Sequence, residues 1–196
     1  RRRPSLPWHT LHPPPRKLFQ GRRPGPGVAD RVPFYHASET VNEDLIVRRL
    51  DRHGRLVCWA TEVPLEPVYR TTDRPRCYLG DVLALFQGPG GHALVGMEVK
   101  DWDARVSVPM AREYLEAYGR ACQHFYLAAN GFAEGLFSVR DLGLFHLGRR
   151  EVVKAPGRLR PDPALWRSAA RRLVDICGED TDLPSDPRQS TLPREG

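Results

Sequence analysis

The sequence lacks the features that would hold a chain in a membrane or brace it with zinc or disulfides. Its longest apolar runs cover only a few residues, well short of the roughly 20 that cross a bilayer. The basic start of the chain has no apolar stretch of a secretion signal. The four cysteines are widely separated and have no C-x-x-C spacing, namely Cys58, Cys77, Cys122 and Cys177. We therefore expect a cytoplasmic protein with reduced thiols, and neither a membrane contact nor a zinc site.

Lysine is scarce, although basic residues are common. Of 30 lysines and arginines, only Lys17, Lys100 and Lys154 are lysine. The chain therefore uses arginine almost wherever it carries a cation. A lysine offers a compact amine whose pKa can shift, which a guanidinium cannot replace. This preference makes a lysine inside a polar cluster a candidate for a chemical role.

Positive charge is concentrated at the start of the chain. Residues 1–36 hold eight basic residues against Asp30, a net charge of +7, which leaves about −1 for the rest of a chain of total charge +6. The segment is rich in proline and glycine, which predicts a flexible arm over residues 1–37. Such an arm can bind a polyanion such as DNA through salt-sensitive contacts, and a solubilising extension is the alternative. The candidate nucleic-acid-binding residues are Arg1, Arg2, Arg3, Arg16, Lys17, Arg22 and Arg23 in the arm, with Arg105 and Arg112 further along.

The stretch "GDVLALFQGPGGHALVGMEVK" has apolar runs on both sides of a glycine-rich turn. This pattern predicts a β-hairpin with strands near 78–87 and 92–100 and a four-residue loop at 88–91. The register follows if Gln87 pairs with His92. Each opposed pair of residues is then fixed along the whole hairpin.

This register gathers three polar side chains at the open end of the hairpin. Asp81 falls opposite Glu98, and Lys100 shares the face of Glu98 because side chains alternate along a strand. Two facing carboxylates at the end of apolar strands repel each other and lose hydration, so a compensating cation is expected. Mg²⁺ takes oxygen ligands, uses one or two carboxylates and keeps waters that a phosphate can displace. We therefore predict a site for Mg²⁺ (or Mn²⁺), with a surface ion-pair group as the alternative.

An Asp at a strand start, a hairpin and then Glu-X-Lys resemble the PD-(D/E)XK nuclease superfamily, over roughly residues 39–156. The literal Pro-Asp is missing, because Gly80 precedes Asp81. The segments "LGDVLALF", "GMEVKDWDARVS", "YLEAYGRACQHFYLAAN" and "VRDLGLFHL", in that order, also look similar to the MmcB-type DNA-repair branch. The resemblance implies an α/β fold with a restriction-endonuclease-like core, a mixed central β-sheet flanked by helices in αβββαβ order. A C-terminal hairpin and helix are expected to follow.

The resemblance also implies roles for the cluster. Both carboxylates would hold the metal ion together with the backbone carbonyl of Val99. Lys100 would orient or deprotonate the attacking water, or balance charge on the phosphate. It points to Glu43 of the first helix as a further ligand. Glu62, near the end of the strand before Asp81, could approach the same cluster, and solvent exposure is the alternative for both glutamates. The predicted catalytic residues are Asp81, Glu98 and Lys100.

Periodicity and punctuation predict the other elements. Helices are expected near 40–53, 108–121 and 162–177. A strand should end at Pro64, residues 65–76 should form a loop, "HFYLAAN" should be a buried strand, and "LGLFHLGRREVVK" should form a hairpin turning at Gly148. The expected organisation is the arm at 1–37, a nuclease-like domain at 38–160, a C-terminal helix at 161–178 packed on it, and a disordered tail at 179–196.

The expected function is metal-dependent hydrolysis of DNA phosphodiester bonds in repair, recombination or restriction, by a nucleoid-associated protein. A homodimer or a repair protein remains open as a further partner. One alternative is a catalytically inactive nuclease fold that binds DNA or a repair partner. Another is a protein-interaction module without nucleic acid. The sequence leaves open whether the substrate is DNA or RNA, and which strand structure is bound.

Overall fold

A computed structural model describes residues 46–65, 69–71, 74–76, 79–100, 106–179 and 181–184. Within these ranges the strands are β1 Arg55–Pro64, β2 Tyr69–Thr71, β3 Arg74–Arg76, β4 Leu79–Gly88, β5 Gly91–Lys100, β6 His124–Ala129, β7 Leu142–His146 and β8 Glu151–Lys154. The α-helices are α1 Val108–Gly119 and α2 Pro163–Cys177, and short 3-10 helices cover Asp51–His53 and Glu134–Ser138. Residues 46–48 are also helical.

Six of the strands form one mixed sheet in the order β1-β4-β5-β6-β7-β8. The neighbours β1, β4 and β5 are antiparallel, β5, β6 and β7 run parallel, and β8 returns antiparallel to β7. Helix α1 connects β5 to β6, because a parallel pair needs a crossover connection. The predicted α/β class, with a mixed sheet flanked by helices, is therefore confirmed. The C-terminal hairpin β7–β8 extends this sheet.

Local signals place the two α-helices close to their predicted bounds. Ser107 caps α1 by accepting a hydrogen bond from the N–H of Met110 at 3.4 Å. Asp162 caps α2 by accepting one from the N–H of Ala164 at 2.8 Å. Helix α2 ends at Gly178, whose φ of 65° lies in the left-handed region that glycine favours. Residues at its two ends thus account for where α2 begins and ends.

The sheet is apolar on both faces, as expected for parallel strands covered on each side. One face, here called the helix face, carries Leu83 and Leu94 and packs against α1 and α2. The opposite face carries Val82 and Val95 and packs against Ile46 from the helical residues before β1. In β4 and β5, neighbouring residues thus contribute to different cores. The same alternation determines on which face of the sheet the polar side chains of β4 and β5 lie.

Two predictions about secondary structure were wrong in detail. The helix expected to run to residue 53 leaves α-helical geometry earlier, because Leu50 has φ −100° and ψ 23° and a 3-10 helix follows over Asp51–His53. Part of the loop expected at 65–76 is instead the ribbon of β2 and β3, in which Tyr69 pairs with Arg76. The alternation needed to predict strands this short is hidden by their proline and arginine.

The loop of the central hairpin was also predicted too long. Gly88 pairs with Gly91, so the connection is the two-residue turn Pro89–Gly90 rather than four residues. Gly91 has a φ of 93°, a conformation that an L side chain rarely adopts. This glycine lets the ladder start one pair closer to the turn.

Some predictions fall outside the described residues, including the arm at 1–37 and the start of the first helix. Of the predicted tail at 179–196, the structure describes residues 179 and 181–184, where Leu183 is half-buried against the helix face. In the part of the chain that the structure covers, no helix combines the length and apolar character needed to cross a bilayer.

Candidate active site

The observed hairpin register agrees with the register predicted from the turn. Pairs run from Gln87 with His92 to Val82 with Met97. Asp81 and Glu98 are the next residues beyond the last pair. The backbone N–H of Val99 donates a hydrogen bond to Asp81 Oδ2 at 3.0 Å, which ties Asp81 to β5 at this position.

The three predicted catalytic side chains meet at this point. Lys100 Nζ donates a hydrogen bond to Glu98 Oε1 and lies 3.7 Å from Asp81 Oδ2. The side chains of Glu98 and Lys100 are only 5% and 9% exposed, whereas that of Asp81 is 37% exposed. The cluster lies on the helix face, at the end of the sheet where β5, β6 and β7 finish, here called the carboxyl end. Asp81 is therefore the member most open to solvent.

Two tyrosines of helix α1 pack over the cluster on the helix face of the sheet. Tyr118 Oη lies 2.9 Å from Glu98 Oε2 and 2.7 Å from the carbonyl oxygen of Met97. The same hydroxyl oxygen accepts a hydrogen bond from the N–H of Asp81 at 2.7 Å. The Tyr114 ring centroid lies 5.0 Å from Lys100 Nζ, within the range of a cation–π contact. Tyr118 thus connects the strands that carry both carboxylates.

Gly96 makes room for the Tyr118 ring. A Cβ built on Gly96 would overlap ring atoms of Tyr118. Gly96 shares the face of Glu98, two residues away, because side chains alternate along β5. The sequence predicted a helix near 108–121 but gave no prediction that its tyrosines contact the cluster. The signal that pointed to them was a glycine within an apolar strand, which often marks a close approach.

The electrostatics of the cluster disfavour a second negative charge beside Glu98. Burial and the nearby Glu98 carboxylate raise the pKa of Asp81 to about 8, although Lys100 and the Val99 N–H oppose the rise. Burial alone lowers the pKa of Lys100, but the two carboxylates raise it by more, so the net change is upward. Burial, followed by Glu98, raises the pKa of Tyr114 to about 12. Lys100 is therefore held as an ammonium, which suits hydrogen bonding and charge balance better than deprotonation of water.

Glu62 also reaches the level of the cluster along the backbone. Thr61 pairs with Val82 and Val63 pairs with Gly80, so Glu62 lies across from Asp81 between β1 and β4. Its φ of 52° is uncommon for a non-glycine residue, and the residue is half-buried. Positive φ at a non-glycine residue is often found at functional sites. The register thus brings the backbone of Glu62 level with the site, and its role as a further ligand stays a prediction.

The other predicted site residues lie elsewhere or outside the described ranges. Arg112 is exposed on the side of α1 that faces away from Tyr114 and Tyr118, and lines a groove with Arg120 and Arg160. Val99 places its side chain towards the opposite face. The residues outside the described ranges are Glu43, Arg1, Arg2, Arg3, Arg16, Lys17, Arg22, Arg23 and Arg105.

The donor set consists of oxygen atoms, which suit Mg²⁺ or Mn²⁺ better than a softer ion such as Zn²⁺. Among the described residues, no three His, Cys, Asp or Glu side chains gather into a metal-binding group. Asp81 and Glu98 nevertheless converge on one ammonium, with Asp81 accessible and its carboxylate destabilised by its neighbour. Mg²⁺ is commonly held by one or two carboxylates and otherwise by water and substrate. Two oxygen-bearing side chains satisfy that requirement.

Comparisons with known proteins name no family. No family model matches the chain, and no curated protein matches it. A solved structure of a protein of unknown function from Silicibacter pomeroyi is 15% identical, with a TM-score of 0.47, over 70% of this chain and 83% of that one. A similarity of this size assigns neither a fold family nor an activity.

Proposed function

We propose that the chain is a PD-(D/E)XK-type nuclease with a restriction-endonuclease-like core, which hydrolyses phosphodiester bonds in DNA with Mg²⁺ or Mn²⁺. The observation that supports this proposal is the contact of Lys100 with both Asp81 and Glu98 at the open end of one hairpin. This is the combination of residues that the Asp, hairpin and Glu-X-Lys pattern predicts. A bound metal ion supplies Lewis-acid polarisation of the scissile phosphate.

Each residue of the cluster has a distinct role in this proposal. Asp81, the half-buried and more accessible carboxylate, and Glu98, the buried one, would hold the ion with the Val99 carbonyl. Tyr118 and Lys100 orient the Glu98 carboxylate, one at each oxygen. Lys100 would donate a hydrogen bond to the phosphate or to the attacking water, where a fixed positive charge stabilises the negative charge that develops. Tyr114 packs beside this ammonium.

The wider features of the chain agree with a DNA substrate. The basic segment at 1–37 would add phosphate contacts that strengthen binding without reading the sequence. Association with the nucleoid, a function in repair, recombination or restriction, and a homodimer or repair-protein partner belong to the same proposal. Similarity to the MmcB-type branch favours repair among these pathways.

A cleavage screen tests the proposal. Single-stranded, duplex, branched and nicked DNA are each incubated with Mg²⁺, Mn²⁺ or EDTA. We expect metal-dependent cleavage by the unmodified chain, loss of cleavage in Asp81→Asn, and full cleavage in Asp175→Asn. Asp175 is a matched control because it is an exposed carboxylate on α2, away from the cluster. Equal cleavage by both variants would show that Asp81 has no part in the reaction.

A second candidate is a catalytically silent nuclease fold that binds DNA or a repair protein. Its support is that both Glu98 oxygens are already engaged, one by Lys100 and the other by Tyr118. An ion pair that is satisfied within the protein has less need of a metal. This function predicts salt-sensitive DNA binding that survives Asp81→Asn, with no cleavage under any divalent cation.

A further inference from the structure

The carboxyl end of the sheet places other residues in line with the cluster. Lys100 pairs with Ala129, and Ala129 pairs with His146, so these three residues form one row across three parallel strands. Neighbouring strands are about 4.8 Å apart, which separates the backbones of Lys100 and His146 by about 10 Å. Alternation along each strand puts all three side chains on the helix face. His146 is thus the next large side chain along the row.

Two phenylalanines stand beside His146. The Phe132 ring lies edge-on to the His146 ring, with centroids 6.3 Å apart, and Phe137 lies edge-on to Phe132 at 6.2 Å. Phe137 is 48% exposed and is the one large apolar side chain exposed to this degree in the described part of the chain. These three rings, Phe132, Phe137 and His146, are called the aromatic platform below.

The platform is held by packing on several sides. Leu136, next to Phe137, is fully buried in the core of the helix face. Asn130 Oδ1 accepts a hydrogen bond from the N–H of Gly148 at 3.0 Å, which ties the loop after β6 to the β7–β8 turn. Gly135 lies against Val108 at the start of α1. The exposed ring therefore stands on a supported segment, which lowers the entropy that a ligand must remove on binding.

Two arginines follow the platform histidine closely in the chain, and the backbone N–H of Arg149 donates a hydrogen bond to His146 Nδ1 at 3.2 Å. The turn after His146 carries Arg149 and Arg150, and both are exposed. Arg149 Nε lies 3.1 Å from Glu151 Oε1, an ion pair that is open to solvent and therefore weak. Aromatic rings flanked by arginines are the combination with which proteins bind single-stranded nucleic acid without sequence preference.

We infer that the aromatic platform stacks an unpaired nucleobase, so that the chain binds single-stranded or locally unpaired DNA across the carboxyl end of the sheet. The inference rests on the proposed function, because it supplies the substrate structure for that same site. Phe137 provides the exposed ring, Phe132 and His146 support it, and the arginine turn contacts the phosphates. A fully paired duplex does not suit the platform, because its base faces are already stacked.

Binding of two oligonucleotides tests the inference without metal or cleavage. A labelled oligothymidylate and an abasic strand of equal length and charge are titrated with the full chain in EDTA at fixed salt, with fluorescence anisotropy as the readout. We expect the unmodified chain to bind the base-bearing strand about 5- to 100-fold more tightly. Phe137→Ala should lose this preference and Phe137→Tyr should keep it, while Phe137→Leu should lose it because it keeps apolar bulk without a ring.

A direct signature of stacking completes the test. Nucleobases that stack on an indole quench its fluorescence, so oligothymidylate should quench Phe137→Trp more than the unmodified chain with its four tryptophans, and the abasic strand should cause no such excess. Equal affinity for both strands in the unmodified chain, or no effect of Phe137→Ala, would overturn the inference. Either result would leave the platform as a protein-contact surface. In the unmodified chain, a preference without metal-dependent cleavage disproves the nuclease alone, and cleavage without a preference disproves the platform alone.

Discussion

The two ends of the central strands each bury a polar cluster, but they treat charge in opposite ways. At the carboxyl end, Asp81, Glu98 and Lys100 keep ionisable groups in contact. At the other end, near the β4–β5 turn, His53 Nε2 lies 2.8 Å from Tyr126 Oη and the ring centroids of His53 and His124 lie 4.4 Å apart. At the histidine end, burial favours the uncharged side chains. At the carboxyl end, charged side chains are buried together with a charge of opposite sign.

The histidine cluster, formed by His53 and His124, stays uncharged because it is buried. Burial, with the nearby His124 and Arg52, lowers the pKa of His53 to about 3. Burial also lowers the pKa of His124, although its hydrogen bond with the carbonyl of Gly157 opposes the change. The carboxyl-end cluster instead holds two acids against a single ammonium. Of the two clusters, this one could use a cation or a phosphate ligand to offset the repulsion between its acids, and for this reason we propose that any chemistry occurs there.

The largest expected effect comes from removing the ammonium. Lys100→Met keeps much of the alkyl stem but leaves two facing carboxylates without their cation. We expect the free energy of unfolding to fall by about 3–5 kcal/mol because a buried ion pair is broken. Cleavage should fall by about 100- to 1000-fold because a stabilising charge is lost. Urea denaturation and the cleavage assay measure the two effects.

The control for this variant is Arg171→Met, which removes a cation from the exposed side of α2. It should change the free energy of unfolding by no more than about 0.5 kcal/mol. Added Mg²⁺ should restore part of the stability lost in Lys100→Met, because it replaces the missing positive charge. If the two variants behave alike, the cluster has no special electrostatic role.

A pair of matched tyrosine variants separates the two ends directly. Tyr118→Phe removes the hydroxyl that contacts Glu98, and Tyr126→Phe removes the hydroxyl that contacts His53. Each should lower the free energy of unfolding by about 1–3 kcal/mol, because buried partners lose a hydrogen bond. Only Tyr118→Phe should weaken Mn²⁺ binding, by about 10- to 100-fold, because it orients a ligand. Calorimetric titration measures the affinity, and an equal loss in both variants would argue against the Tyr118 role.

The histidine end predicts a loss of stability in acid. The folded pKa of His53, about 3, is below its ordinary value of 6.5, so the neutral form is favoured by folding. Its contribution is complete above about pH 6.5 and is lost as the pH falls towards about 3. The full pKa difference corresponds to roughly 5 kcal/mol, and we expect a smaller decrease over this range because His53 is only half-buried and solvent screens its charge. His53→Gln should lack this decrease. Urea denaturation at several pH values measures it, and a His53 proton resonance that titrates near its ordinary pKa would contradict it.

The smallest effect is expected on the outer side of α1. Arg112 is exposed and faces away from the tyrosines, so Arg112→Ala should leave Mn²⁺ affinity unchanged and alter stability by no more than about 0.5 kcal/mol. If Arg112 contacts a phosphate, the slope of DNA affinity against salt concentration should fall by about one unit. Binding measured at several salt concentrations tests this. An unchanged slope would remove Arg112 from the nucleic-acid interface.

Much of the cluster followed from local sequence, because a hairpin register depends on a short turn. Glu98 and Lys100 share a face by alternation, and Asp81 follows from the pairing of Gln87 with His92. Even an error of two residues in the loop length left the register intact, because Gly88 and Gly91 extend the same ladder. The contacts of Tyr118 could not be read in this way, since they join α1 to strands about 20 and 37 residues earlier in the chain.

The sequence by itself determined the hairpin, the caps of α1 and α2, and the choice of lysine at position 100, because each depends on neighbours along the chain. Only the tertiary structure decided that Tyr118 lies over Glu98 and that His146 stands in the row that begins at Lys100. Those relations arise from the parallel pairing of β5, β6 and β7, which long crossover connections permit but do not specify. Local sequence therefore specifies which polar residues meet at the end of the hairpin, and the order of strands in the sheet specifies which residues surround them.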